Sequence, residues 1–185
     1  MKHRNYIVLS LFISSLLLTQ CKDEIPALEY KQQGFIKGTI TGTWQDGKSP
    51  INENFNNTQY APALYGDYSY YRAYPSGEVI IYFERTNVAT GDDSYFEIYM
   101  EDIASAEPDY VDFSIWHIKS ADSGLFFRLN AENEEVTLTN FSFDITTGRL
   151  KSEFVVEALD NNGSEATVVG SVDVILKETN RNFLE

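Results

Sequence analysis

Apolar and polar residues alternate along much of the chain after residue 33. The alternation is clearest in three central stretches, residues 78–84, 95–101 and 111–116, and it returns in the last third. Because successive side chains of a β-strand point to opposite faces, a period of two predicts strands with one buried side. The positions that we expect to be buried are Phe96, Ile98, Phe113, Ile115, Phe154, Val156, Val172 and Val174.

Turn-forming residues separate these stretches. Gly, Pro, Asn, Asp and Ser favour turns, and they are concentrated at residues 75–77, 90–93, 122–124, 146–148 and 160–163. The alternation changes parity near Asn140, which predicts a bulge or corner there. Residues 45–59 are polar and lack a clear period, so we predict a long loop in this segment.

The spacing of these stretches predicts the fold class. About nine strands at such intervals are typical of antiparallel sandwiches and barrels. We therefore predict an all-β fold, an antiparallel β-sandwich over residues 34–178. Gly42-Thr43-Trp44 resembles the Gly-x-Trp motif near the first strand of lipocalins. This resemblance makes a lipocalin-like barrel the alternative.

The first 20 residues have a different pattern. Basic residues precede an apolar run over residues 6–18. At 1.5 Å per residue this run reaches about 20 Å, which is shorter than the hydrocarbon core of a bilayer at about 30 Å. We therefore predict a secretory signal peptide over residues 1–20 instead of a spanning helix.

The residues that follow carry a second resemblance. Residues 18–21, Leu-Thr-Gln-Cys, resemble the lipobox of bacterial lipoproteins, which implies cleavage before Cys21 and anchoring in a lipid bilayer through its acyl chains. Residues 22–24 resemble the export tag of Bacteroidota-type surface lipoproteins, which implies the outer membrane and the cell surface. Residues 21–33 are then a lipidated N-terminus and tether, and residues 179–185 a C-terminal tail. The layout is similar to small Bacteroidota-type surface lipoproteins of unknown function.

Composition and charge limit the partners. The formal net charge of −14 repels nucleic acid, so we predict no nucleic-acid partner. Aromatic residues make up 14% of the chain, which is too many for a disordered protein. Cys21 is the only cysteine, so no disulfide forms within the chain.

Candidate catalytic and metal-binding residues are few. His117 is the only histidine after the signal peptide, and no Gly-x-Ser-x-Gly nucleophile motif occurs. We interpret His117 as an ordinary strand residue and predict no enzyme, no catalytic residue, no metal site and no cofactor. Two alternatives stay open. One is calcium bound at residues 91–93 and 160–163, and the other is a hydrolase with a carboxylate pair.

Tyrosines are the most unusual feature of the expected surface. They are concentrated at residues 60–74 and recur on the polar side of the next strands. A tyrosine combines a flat apolar ring with a polar tip, which suits stacking on a sugar or contact with a protein, although cross-strand packing is an alternative explanation. The candidate ligand-binding residues are Tyr65, Tyr68, Tyr70, Tyr71, Tyr95 and Tyr99, with Asp67, Arg72 and Glu97 as hydrogen-bonding neighbours.

These observations together predict a non-enzymatic, membrane-anchored surface lipoprotein. Its tyrosine-rich face is expected to bind a glycan or an envelope protein. Two alternatives of other classes remain: a structural or assembly component of the envelope, and a lipocalin-like carrier of a small ligand.

Overall fold

The computed structural model describes residues 31–60, 69–105, 107–120 and 123–179. These residues form eleven strands and one short 3-10 helix, Asn133–Glu135, before β8. The strands are β1 (Lys31–Thr43), β2 (Pro50–Tyr60), β3 (Ser69–Ala73), β4 (Val79–Asn87), β5 (Asp92–Met100), β6 (Tyr110–Ile118), β7 (Phe126–Glu132), β8 (Val136–Asp144), β9 (Arg149–Leu159), β10 (Glu165–Ile175) and β11 (Lys177–Glu178).

All strands belong to one sheet with the order β7-β6-β5-β4-β2-β1-β10-β9-β8. Neighbours along this path are antiparallel, whereas β3 pairs with β4 antiparallel and with β11 parallel. The sheet curves until it is nearly barrel-shaped. An isolated bridge between Leu129 and Asp160 brings the β7 edge to the end of β9. The all-β antiparallel fold class is confirmed, and the single curved sheet is closer to the barrel alternative than to two separate sheets.

The inward side of the sheet forms one hydrophobic core. All eight positions predicted to be buried are in it. Phe154 of β9 lies at its centre, with its ring centroid 5.1 Å from that of Phe96 and 5.4 Å from that of Phe113. The period-two pattern therefore predicted the core correctly, because each strand turns its apolar set to the same side.

The predicted loop at residues 45–59 is wrong for most of its length. Residues 50–60 form β2, which pairs with β1 from Thr43↔Pro50 to Lys31↔Tyr60. Ile51 and Phe55 point inward and are buried, while asparagines occupy outward positions between them. Asparagine is a poor strand former, but pairing with β1 and burial of the apolar residues outweigh that preference.

Two further features concern the ends and bends of strands. The predicted bulge is confirmed, because Asn140 has φ 53° and the register of β8 against β9 shifts between Thr139 and Ser142.

The first strand begins at Lys31, inside the predicted tether. The predicted signal peptide, Cys21 and residues 180–185 lie outside the described residues. Within the described ranges, no helix is long and apolar enough to cross a membrane.

One junction of the sheet has few backbone contacts. Residues 79–83 of β4 pair with β3, whereas among the described residues β4 meets β2 at one pair, Gln59↔Thr86. We call this junction the β2–β4 seam. It lies beside the turn between β4 and β5, since the amide of Val88 donates to Gln59 Oε1. The end of the barrel at which Trp44 stacks on His117 is called here the Trp44 end.

Candidate functional site

A ladder of tyrosines crosses the outward side of β3, β4 and β5. The ring centroids of Tyr70 and Tyr82 are 5.8 Å apart, and those of Tyr82 and Tyr95 are 5.7 Å apart, with interplanar angles of 21° and 23°. Tyr70 lies directly opposite Tyr82, and Tyr95 is diagonal to it. Rings stacked at such separations are offset from one another, so they do not fully cover each other's faces.

Tyrosine hydroxyls on this side donate hydrogen bonds to carboxylates. Tyr95 Oη donates to Asp112 Oδ2 at 3.2 Å, and Tyr99 Oη donates to Glu78 Oε1 at 3.2 Å. Burial, followed by the charge of Asp112 and this hydrogen bond, raises the pKa of Tyr95 to about 12. The hydroxyl therefore stays protonated, and its oxygen can still accept a bond from a ligand.

Acidic side chains alternate with the rings. Glu97 of β5, Asp112 of β6 and Glu132 of β7 are directly opposite one another in the register. Like charges in such positions repel. Burial, and then the neighbouring charge of Asp93, raises the pKa of Glu84 on β4. The surface is thus rich in hydrogen-bond acceptors and carries negative charge. We call the outward side of β3–β6 the tyrosine face.

Four of the six tyrosines predicted to bind a ligand lie among the residues that the structure describes. Tyr70, Tyr95 and Tyr99 lie on the tyrosine face, each partly exposed. Tyr71 does not, because it follows Tyr70 on β3 and therefore points inward. It is 6% exposed, and its hydroxyl donates to the backbone oxygen of Ile145 at 2.9 Å.

The remaining predicted site residues have different outcomes. Tyr65, Tyr68 and Asp67 lie outside the described residues. The guanidinium of Arg72 lies 4.5 Å from the ring centroid of Tyr74. Two tyrosines not named as ligand-binding candidates also belong to the tyrosine face, Tyr82 and Tyr110.

A second cluster lies inside the Trp44 end and is centred on His117. Its Nδ1 is 3.0 Å from Oδ2 of Asp92, which is buried on the neighbouring strand. The other oxygen of Asp92 accepts a hydrogen bond from the amide of Ile118 at 2.8 Å. On the opposite side of the ring, His117 Nε2 is 3.6 Å from Oε2 of Glu53. Trp44 stacks on the imidazole with a centroid distance of 5.7 Å.

The charges of this cluster stabilise one another. Burial by itself raises the pKa of Asp92, but the hydrogen bonds from His117 and Ile118 outweigh it and hold the pKa below its ordinary value. Burial by itself lowers the pKa of His117, but the hydrogen bond and charge of Asp92, together with Glu53, outweigh it and raise the pKa. The arrangement therefore favours an imidazolium between two carboxylates.

His117 lies on a strand as predicted, but it is not an ordinary strand residue. Its ring is buried and contacts residues that are far away in sequence. The alternation of the sequence contains a signal for two members of the cluster, Asp92 and His117. Asp92 has the inward parity of Phe96, and His117 has that of Ile115. The approach of Glu53 was hidden by the incorrect loop prediction.

Two of the acidic side chains in the turns at residues 91–93 and 160–163 have hydrogen-bond partners within the protein. Asp92 faces His117, and Asp160 Oδ1 accepts the amides of Asn162 at 2.7 Å and Ser164 at 3.0 Å. In the part of the chain that the structure describes, no three His, Cys, Asp or Glu side chains form a group that could hold a metal ion.

No protein-family model, curated protein or solved structure matches this chain.

Proposed function

We propose that this chain is a lipid-anchored, non-enzymatic binding protein of the bacterial envelope, and that its tyrosine face binds a carbohydrate. The observation that carries the proposal is the ladder of Tyr70, Tyr82 and Tyr95, whose partly exposed rings stand beside a row of carboxylates. The anchor is proposed from the lipobox resemblance at Cys21.

The mixture of rings and carboxylates supports a sugar over a protein as the ligand. The buried centre of a protein interface is apolar and poor in charged residues, because a charge left without a partner there is costly. On the tyrosine face, Glu97 and Asp112 stand among the rings. A sugar matches this pattern, because its C–H faces pack on rings while its hydroxyls donate to carboxylates. The negative charge favours a neutral sugar over an acidic one.

The position of His117 argues against a hydrolase that uses a histidine as its base. Its Nε2 is buried and faces Glu53, so it does not reach a substrate at the surface. A general base must come within hydrogen-bond reach of the proton that it removes.

Tyr95→Ala should weaken carbohydrate binding by about 30-fold, or about 2 kcal/mol, the loss expected for a central aromatic contact. The substitution removes one ring of the ladder and the bond to Asp112. Calorimetric titration of residues 22–185 with a panel of neutral and acidic soluble polysaccharides provides the measurement. Tyr95→Phe, which keeps the ring, should lose less.

Phe35→Ala is the matched control. Phe35 is a partly exposed aromatic residue on the outward side of β1, away from the tyrosine face, and Lys37 Nζ lies 4.3 Å from its ring centroid. Its loss should leave binding unchanged. If no polysaccharide binds, and an envelope protein is retained by the wild-type chain but not by Tyr95→Ala, the ligand is a protein and the carbohydrate proposal is wrong.

Cys21→Ala should release the protein from the membrane fraction, because the proposed acyl chains attach there. The full chain, with its signal peptide, is expressed in a bacterial host and partitioned between detergent and aqueous phases. Wild-type protein should enter the detergent phase and the variant the aqueous phase. Equal partitioning of the two would contradict the anchor.

A further inference from the structure

The β2–β4 seam is joined mainly by side chains. Across it, Thr86 Oγ1 donates to the backbone oxygen of Gln59 at 3.1 Å, and the amide of Val88 donates to Gln59 Oε1 at 3.3 Å. Inside the barrel, Asn57 Nδ2 donates to Ser94 Oγ at 3.0 Å. These bonds connect β2 to the half of the barrel that contains β4 and β5.

Glu53 provides a further link between the same two halves. It lies on the inward side of β2, its side chain is 42% exposed, and it approaches His117 on β6. Unlike the neutral bonds of the seam, this contact depends on the charge of an imidazole. Its strength therefore changes with pH.

We propose that the contact between Glu53 and His117 is a pH-dependent latch at the Trp44 end. It holds β2 against the half of the barrel that contains β4, β5 and β6 while His117 is protonated, and it releases β2 when His117 is neutral.

The hydrogen-bonding pattern gives the latch its direction. Asp92 Oδ2 is an acceptor, so Nδ1 of His117 carries a proton toward it. A neutral imidazole in this tautomer has a lone pair at Nε2, and this lone pair faces the carboxylate of Glu53. Two acceptors then oppose each other, whereas the imidazolium places a proton between them. Loss of one proton changes an attraction into a repulsion.

The other groups around the ring do not replace that proton. Asp92 adds a second negative charge from β5. On β7, the residue paired with His117 is Phe127, which is apolar. Trp44 stacks on the ring, and Lys119 Nζ lies 5.5 Å from the Trp44 ring centroid.

The pH range follows from the direction of the shift. The pKa of His117 is raised in the folded protein, so its stabilising contribution is complete below the ordinary value of about 6.5. The contribution is lost as the pH rises through the raised pKa. The latch is therefore closed below about pH 6.5 and is released as the pH rises through the raised pKa of His117.

Hydrogen exchange of residues 22–185 tests the latch. After correction for the intrinsic pH dependence, exchange in residues 44–57 should become about tenfold faster between pH 6 and pH 9, because the contact that holds β2 to His117 is lost. Exchange in residues 165–175, which form β10 between β1 and β9, should not change. Glu53→Gln should abolish the acceleration, because the Gln amide can donate to the neutral imidazole.

Glu157→Gln is the matched control, since it removes one exposed carboxylate from β9 and should behave as wild type. The proposal is overturned if Glu53→Gln keeps the wild-type pH dependence. It is also overturned if residues 44–57 and β10 accelerate together, because the whole domain is then losing stability. The measurement does not involve the tyrosine face, so its result is independent of the carbohydrate proposal.

Discussion

Phe154→Ala should lower the free energy of unfolding by about 4 kcal/mol, as is usual when a buried aromatic ring is truncated. The ring is 1% exposed and contacts Phe96 and Phe113 at the centre of the barrel. Strands from both halves of the curved sheet enclose it, so the cavity cannot collapse without moving several of them. Equilibrium unfolding in urea, followed by circular dichroism, measures the loss.

Val155→Ala is the control for this prediction. Val155 is the next residue on β9, points outward and is only partly buried. Its truncation should cost less than about 1 kcal/mol, since little apolar surface returns to water. Equal losses for the two variants would mean that the inward and outward sides of β9 are assigned incorrectly.

Gly170→Ala should destabilise the domain by about 3 kcal/mol, although it adds only a methyl group. Gly170 of β10 pairs with Gly38 of β1, and the backbones approach closely there. A Cβ at position 170 would lie 2.4 Å from the backbone oxygen of Lys37 and 2.5 Å from Cζ of Phe154. The ring can rotate only into neighbouring core residues, and the carbonyl belongs to a paired strand.

A double-mutant cycle separates these two clashes. In a Phe154→Ala background the ring is absent, so Gly170→Ala should cost clearly less than in the wild type, while the clash with Lys37 keeps the cost above zero. Urea unfolding of the four proteins gives the coupling energy. Strictly additive losses would show that Phe154 does not occupy the space beside Gly170.

The tyrosine face could be predicted in part from the sequence. Parity along each strand places Tyr95 and Tyr99 outward, because an extended chain alternates its sides. The prediction for Tyr71 failed because the tyrosines were grouped by their closeness in sequence. Neighbours such as Tyr70 and Tyr71 point to opposite sides of a strand, so closeness in sequence does not place them on one surface.

Other parts of the fold could not be read from local pattern. The strand Pro50–Tyr60 carries asparagines on its outward side, and such residues are typical of loops. Only the pairing with β1 identifies the segment as a strand. The seam beside it arises because β3 and β2 share β4 as a neighbour. Such sharing depends on the path of the chain in space.

By itself, the sequence determined the strand class, the buried positions and the bulge at Asn140, because these follow from a period of two and its interruption within a few residues. Only the tertiary structure decided the order of the strands and the curvature of the sheet. It alone also brought Glu53, Asp92 and His117 together, since those contacts depend on register between segments that are distant along the chain. The physical reason is that backbone alternation is local, whereas pairing and burial require the assembled barrel.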